Sequence, residues 1–235
     1  MIAVTFALPA ESSEFIRRLQ SPTRTRRGSI EIVTGMLHGQ TVALVHTGVG
    51  EKSTRARLGS FLEAETPTCL ISAGFAGALH EKRQLGDVVI GQNFSAPFLV
   101  DAARRALSTI RVDVLPMTTA SEVIDLPTVR QRIAESTSAE AVDMETEYIA
   151  QLCASQEIPM LSLRAITDTP SAPFPAPPGV LFNMERQKTE FASLFWYLLL
   201  RPAAIVRFLS FAQNVARSRQ ALTSALELLL REPLG

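Results

Sequence analysis

Cysteine is scarce in this 235-residue chain: only Cys69 and Cys153 occur, each in apolar surroundings. Two isolated thiols exclude a disulfide framework or a cysteine metal cluster and suit buried side chains in a reducing compartment. Histidine is sparse too, and His38, His46 and His80 lack zinc-type spacing. An excess of charge is also missing. Lys plus Arg and Asp plus Glu each total 23, a formal net charge of zero. That balance argues against a dedicated nucleic-acid binder. No basic flank precedes the first apolar run, which meets Pro9 and Glu11, so no secretory signal is expected and a cytoplasmic location follows. The apolar run 191–200 stops at Arg201-Pro202, too short to span a bilayer. Neither G-x-G-x-x-G nor a Gly-Lys-Ser/Thr phosphate loop is found.

What the chain does have is a core. Hydrophobic residues make up 46% of it, enough for one globular domain. Short, nearly continuous apolar runs at 2–8, 41–46, 68–73, 87–91 and 160–166 read as strands buried on both faces. Helical patterns fall between them at 10–20, 51–65, 126–136 and 145–156. This alternation predicts an α/β fold with a largely parallel sheet. Residues 170–178 carry five prolines in nine, which rules out helix or central strand and reads as a stiff loop. A helical tail follows from residue 184 to about 232, interrupted at Arg201-Pro202. We therefore expect a single domain, with core 1–170, proline-rich loop 170–179 and tail 184–232.

Two glycine segments, Gly48-Val49-Gly50 and Gly74-Phe75-Ala76-Gly77, follow strands. Ligands in open α/β sheets bind beyond the carboxyl ends of strands, where glycine lets backbone approach closely. The segment Val142-Asp143-Met144-Glu145 reads as an acid-rich helix start, which the helix dipole favours. The same residue types also suit a sugar: a carboxylate accepts hydrogen bonds from hydroxyls, and a thioether packs on the ring.

Six segments in order resemble the purine nucleoside phosphorylase and nucleosidase superfamily. They are Ala7-Leu8-Pro9-Ala10-Glu11, Thr47-Gly48-Val49-Gly50-Glu51-Lys52, Ser72-Ala73-Gly74-Phe75-Ala76-Gly77-Ala78-Leu79, Leu85-Gly86-Asp87-Val88-Val89, Val142-Asp143-Met144-Glu145 and Leu163-Arg164-Ala165-Ile166-Thr167-Asp168. Within that superfamily they look most like the bacterial 5′-methylthioadenosine/S-adenosylhomocysteine nucleosidases. The resemblance implies a three-layer αβα sandwich around a mixed, largely parallel sheet, here with an added C-terminal helical tail. It also implies hydrolysis of the N-glycosidic bond of a purine nucleoside, with no cofactor and no metal, by a homodimer.

The resemblance assigns roles residue by residue. Glu11 matches the acid that activates water, and Asp168 the acid that protonates N7 of the leaving purine. Glu145 matches the carboxylate on the ribose hydroxyls and Met144 the thioether on the sugar. Gly77 matches a backbone contact near the sugar, and Val123 and Ile124 fall where backbone meets the purine. Phe75 stands where the nucleosidases carry Ser or Thr, which points to a changed water pocket or a modified 5′ group. Plainer readings exist for each acid: Glu11 as a helix cap, Asp168 as the start of a turn before Pro170.

Phosphorylases of this fold hold phosphate with arginines, and here Ser72 and Pro9-Ala10-Glu11 occupy those places, so water is the expected nucleophile. Arg55, Arg57 and Arg164 remain as possible sources of charge. The alternatives are a phosphate-dependent phosphorylase, a hopanoid-linked or futalosine-type nucleosidase, and a non-catalytic nucleoside-binding paralogue. An apolar stripe through Phe191, Leu194, Phe195, Leu198 and Phe208 fits core or a dimer interface better than a membrane surface.

Overall fold

The computed structural model describes residues 1–28, 30–173, 202–232 and 234. The five apolar runs are all strands. They form β1 (Ile2–Phe6), β4 (Gln40–His46), β5 (Cys69–Ala78), β6 (Val88–Gly91) and β10 (Met160–Asp168). The four helical patterns are α1 (Pro9–Ile16), α2 (Glu51–Ala64), α4 (Pro127–Thr137) and α5 (Thr146–Ser155). Sequence reading passed over β2 (Gln20–Arg27), β3 (Ile30–Leu37), β7 (Val112–Leu115), β8 (Met117–Thr119), β9 (Ala141–Asp143) and α3 (Pro97–Ala106).

The reason for one omission is physical. Strand β2 reads QSPTRTRR, is exposed throughout, and pairs only with β3 at the sheet edge. An edge strand keeps one side free, tolerates Pro22 and gains from charge that discourages further pairing. It therefore carries no apolar alternation to read.

All ten strands join one mixed sheet. Its main order is β2-β3-β4-β1-β5-β10-β6-β7, with β9 paired to the far end of β5 and β8 to β9. The central neighbours β4, β1, β5 and β10 are mutually parallel, so their carboxyl ends face the same way. Alternation along the strands builds the layers. Ile2, Val4, Phe6, Cys69, Ile71 and Ala73 point to one face, packed with Phe15 of α1, Leu99 and Ala103 of α3, and Leu222 and Leu226 of the C-terminal helix α6 (Pro202–Leu229). Ala3 and Leu70 point to the other, against Leu58 and Phe61 of α2 and Ile149 and Cys153 of α5. The result is the three-layer αβα sandwich expected from sequence.

One local reading is corrected. Val142 and Asp143 do not begin a helix: they belong to β9, antiparallel to Gly77 and Ala78 of β5. Helix α5 starts only at Thr146, with Glu145 as its N-cap. The tail is helical from Pro202, but most of the proline-rich loop and the stripe residues from Phe191 to Leu198 lie outside the described residues.

Candidate active site

Four strand ends converge. Glu11 follows β1 in the first turn of α1, where Pro9 opens the helix with its φ already set. Its Oε2 accepts the Leu8 backbone N–H at 2.9 Å, so the capping role is realised. Its Oε1 faces the backbone of β5, 3.6 Å from where a Cβ on Gly74 would sit. Gly48 and Gly50 follow β4 with positive φ (75° and 79°), a turn that aims the Gly50 N–H across the sheet end. That N–H donates to Glu145 Oε1 at 2.9 Å. Glu11, Glu145, Gly74, Phe75 and Arg164 line one small cavity of about 10 Å³, room for roughly one water. Anything larger than a water enters only if lining side chains move aside.

Both carboxylates are buried, and burial governs their chemistry. It pushes Glu11 above the ordinary carboxylate range, against the Leu8 N–H and the Arg164 charge, which pull it down. Burial and the neighbouring Asp143 push Glu145 up to about 8. The sign of the stability effect follows. Between the ordinary value of 4.5 and about 8, the folded protein keeps a Glu145 proton that the unfolded chain has released. Stability therefore falls as pH rises through that window and levels off above it. Glu145→Gln is expected to flatten this fall and to stabilise the unliganded protein at pH 8 by at least about 1 kcal/mol, as read by urea unfolding at several pH values.

Arg164 was a clue within the sequence, an arginine inside an otherwise apolar strand. Such a charge must be paired. Its Nε donates to Asp143 Oδ2 at 3.0 Å, and its Nη2 reaches Ser72 Oγ at 2.8 Å and Thr146 Oγ1 at 2.6 Å. Asp143 also accepts from Thr119 Oγ1 at 2.9 Å and from the Thr146 N–H at 3.2 Å. Asp143 is thus a buried brace that locks β9, β10 and the start of α5 together, and the Arg164 donors are committed to it and its neighbours. Arg55 is occupied as well, by Glu51 and by Gln151.

Asp168 ends β10 and does not line that small cavity. Its carboxylate pairs with the guanidinium of Arg130 from α4, a side chain with 0% exposure, and its Oδ1 accepts from Thr167 Oγ1 at 3.0 Å. Arg130 also donates to the Ala78 carbonyl at 2.7 Å. Gly77 makes room for the pair: a Cβ there would lie 2.6 Å from Asp168 Oδ2 and 3.0 Å from Arg130 Nη1. Burial pushes the Asp168 carboxyl up, while Arg130 pulls it down. Sequence reading missed Arg130, because it sits among polar residues of α4 and only tertiary packing buries it.

Removing one member of a buried pair strands the other. Arg130→Gln is expected to lower unfolding free energy by about 3 kcal/mol. A double-mutant cycle with Asp168→Asn, followed by denaturant unfolding, checks the coupling: strictly additive losses would show the two groups to be independent.

The structure therefore brings Glu11, Phe75 and Glu145 to one cavity and sets Asp168 over Gly77, both outside its lining. Met144, Val123 and Ile124 line neither that cavity nor the larger one beside it; each is half-buried. Among the described residues no cluster of His, Cys, Asp or Glu could hold a metal ion.

Comparison with known proteins bears on the family and the fold. A 5′-methylthioadenosine/S-adenosylhomocysteine nucleosidase of Shewanella sediminis (strain HAW-EB3) is 24% identical over 196 residues, covering 71% of this chain and 85% of that protein. The Neisseria meningitidis 5′-methylthioadenosine/S-adenosylhomocysteine nucleosidase, solved with methylthio-immucillin-A, superposes with a TM-score of 0.76 at 18% identity over 98% of both chains. A futalosine hydrolase of Helicobacter pylori gives a TM-score of 0.76 at 14% identity, covering 99% of this chain and 97% of that one. At such identities the structures speak to the fold. The family model for the Phosphorylase superfamily matches residues 1–98 and 95–199. With that match spanning most of the sequence, the chain belongs to the phosphorylase superfamily.

Proposed function

We propose that the protein is a nucleosidase that hydrolyses the N-glycosidic bond of a purine nucleoside, adenine-type and modified at the 5′ position. The observation that carries this reading is the pair of buried carboxylates, Glu11 and Glu145, facing one cavity at the carboxyl ends of parallel strands. The curated relatives named as nucleosidases support an adenine nucleoside as the substrate class.

The chemistry balances with these groups alone. Cleavage builds positive charge on the ribose and negative charge on the base. Glu11, ionised and made more basic by burial, takes a proton from water as its oxygen attacks C1′. The C1′–N9 electron pair leaves with the purine, which takes a proton at N7 from Asp168. Glu145 accepts hydrogen bonds from the ribose hydroxyls and offsets the developing positive charge. Their donation favours its ionised form over the protonated one that burial favours in the empty site. Met144 is assigned to the sugar, Gly77 to backbone contact near it, and Val123 and Ile124 to the purine, all reached once the site opens around substrate. Phe75, half-buried on the cavity wall, bears on the 5′ side.

Water is the favoured nucleophile. Glu11 repels phosphate, and the donors of Arg164 are committed to Asp143, Ser72 and Thr146. A cytoplasmic homodimer completes the reading; no helix among the described residues is long and apolar enough to cross a membrane. The test is a base-release assay, reading adenine from methylthioadenosine and adenosylhomocysteine and hypoxanthine from inosine and futalosine, each with and without phosphate. Release independent of phosphate is expected. Absence of turnover on every substrate rejects the nucleosidase reading, and phosphate-dependent formation of the matching sugar 1-phosphate, with its 5′ group retained, rejects hydrolysis.

A further inference from the structure

A second cavity lies against the carboxylate site. Its volume is about 610 Å³, within the range of ligand pockets. It shares Ala7 with the Glu11 cavity, and its Gly48 adjoins Thr47 of that cavity. None of the residues around Asp168 lines it, so it opens at the end of the site away from the assigned purine position. A substrate with its base at Asp168 and its sugar over Glu11 and Glu145 extends its 5′ end towards this space.

The lining is basic. Three arginines contribute: Arg17 from the end of α1, Arg24 from β2 and Arg57 from α2. The cavity has one acid, Glu31, and it pairs with Arg24. Arg17 donates through Nε to the Ser13 carbonyl, a neutral acceptor, and Arg57 has no ion-pair partner among the described residues. Three cations and one anion leave the lining with an excess of two positive charges; Arg17, Arg24 and Glu31 are exposed and Arg57 half-buried, so solvent screens part of that excess. His46 adds no charge at neutral pH. Its ring meets Ser12 Oγ at 2.7 Å, and burial holds it at about 4, with Arg24 and Arg57 opposing its protonation against Glu31.

We infer that this cavity is an anion subsite that takes a phosphoryl or carboxylate group carried on the 5′ side of the nucleoside. Guanidinium groups bind both anions with charge-assisted, often bidentate hydrogen bonds. The volume favours a group borne on the substrate over free phosphate, which would leave most of the space unfilled. The 5′ placement rests on the nucleosidase reading; the anion preference does not.

The test uses adenosine 5′-monophosphate and the uncharged methylthioadenosine as probes on the full chain, by calorimetry and by adenine release. Arg17 and Arg57 stand apart from the carboxylates, so the double variant Arg17→Gln/Arg57→Gln leaves the cleavage machinery in place; thermal melting confirms that it folds. The charged probe is expected to bind about tenfold tighter than the neutral one. The double variant loses that preference, while binding and cleavage of methylthioadenosine stay unchanged. Arg57→Lys is expected to retain part of it.

Equal binding of both probes, unaffected by the double variant, overturns the anion subsite and leaves hydrolysis of neutral nucleosides standing. Arginine-dependent preference without cleavage of any nucleoside supports the subsite and rejects the hydrolase reading instead. Consumption of inorganic phosphate with formation of 5-methylthioribose 1-phosphate from methylthioadenosine, abolished in the double variant, overturns the assignment to a substrate-borne group.

Discussion

Asp168→Asn is expected to reduce turnover of the cleaved purine nucleoside by at least about a hundredfold, through loss of general-acid assistance at N7. The substitution preserves shape and can still accept a hydrogen bond from Arg130, but it leaves that buried charge without its counter-ion, so the rate is compared at a temperature where a thermal melt shows the variant folded. Two influences act on that proton. Burial favours the neutral acid, and the Arg130 guanidinium favours the carboxylate. To donate, Asp168 must carry the proton, and it therefore has to weaken its contact with Arg130 as the purine arrives. The pH profile tests this with a definite sign. Activity falls on the alkaline side as Asp168 ionises. Removing the cation in Arg130→Gln raises the Asp168 value, so the alkaline limb moves to higher pH even though the variant is less stable. A near-wild-type rate for Asp168→Asn rejects the role given to Asp168. An unmoved alkaline limb in Arg130→Gln rejects the coupling.

Glu11→Gln carries the second large effect, again about a hundredfold or more in rate, because an amide cannot take a proton from water. Here the plainer role can be separated from the chemical one. Glu11 caps α1 through the Leu8 N–H, and glutamine can accept the same hydrogen bond. Capping alone therefore predicts a small change in stability and none in rate. Burial makes the ionised carboxylate costly, and its folded value is raised above 4.5. Stability contributed by the protonated form is present at low pH and is lost as pH rises through the raised value. At neutral pH the glutamine variant is therefore expected to melt no lower than wild type while losing activity. Wild-type activity falls on the acid side as Glu11 takes up its proton. A Glu11→Gln rate within tenfold of wild type would show that Glu11 is only a cap.

Strand and helix alternation was legible because buried parallel strands need continuous apolar runs, and five such runs became the core of the sheet. The edge strand β2 was not legible, because at a sheet edge its residues face solvent and carry charge. Strand β9 was misread for a related reason. Its three residues are too few to show a period, and the acids that follow resemble a helix start.

By itself the sequence determined the alternation of strands and helices, because buried parallel strands need apolar runs, and its ordered motifs offered Glu11, Glu145 and Asp168 as candidates through the family they resemble. Only the tertiary structure decided their partners. It spends Arg164 on Asp143, pairs Asp168 with an arginine from a distant helix, and gathers Arg17, Arg24 and Arg57 around one cavity. Charge pairing and burial depend on which elements the fold brings together. Residues 38 positions apart in the chain, Arg130 and Asp168, acquire their chemistry only when α4 packs against the end of β10.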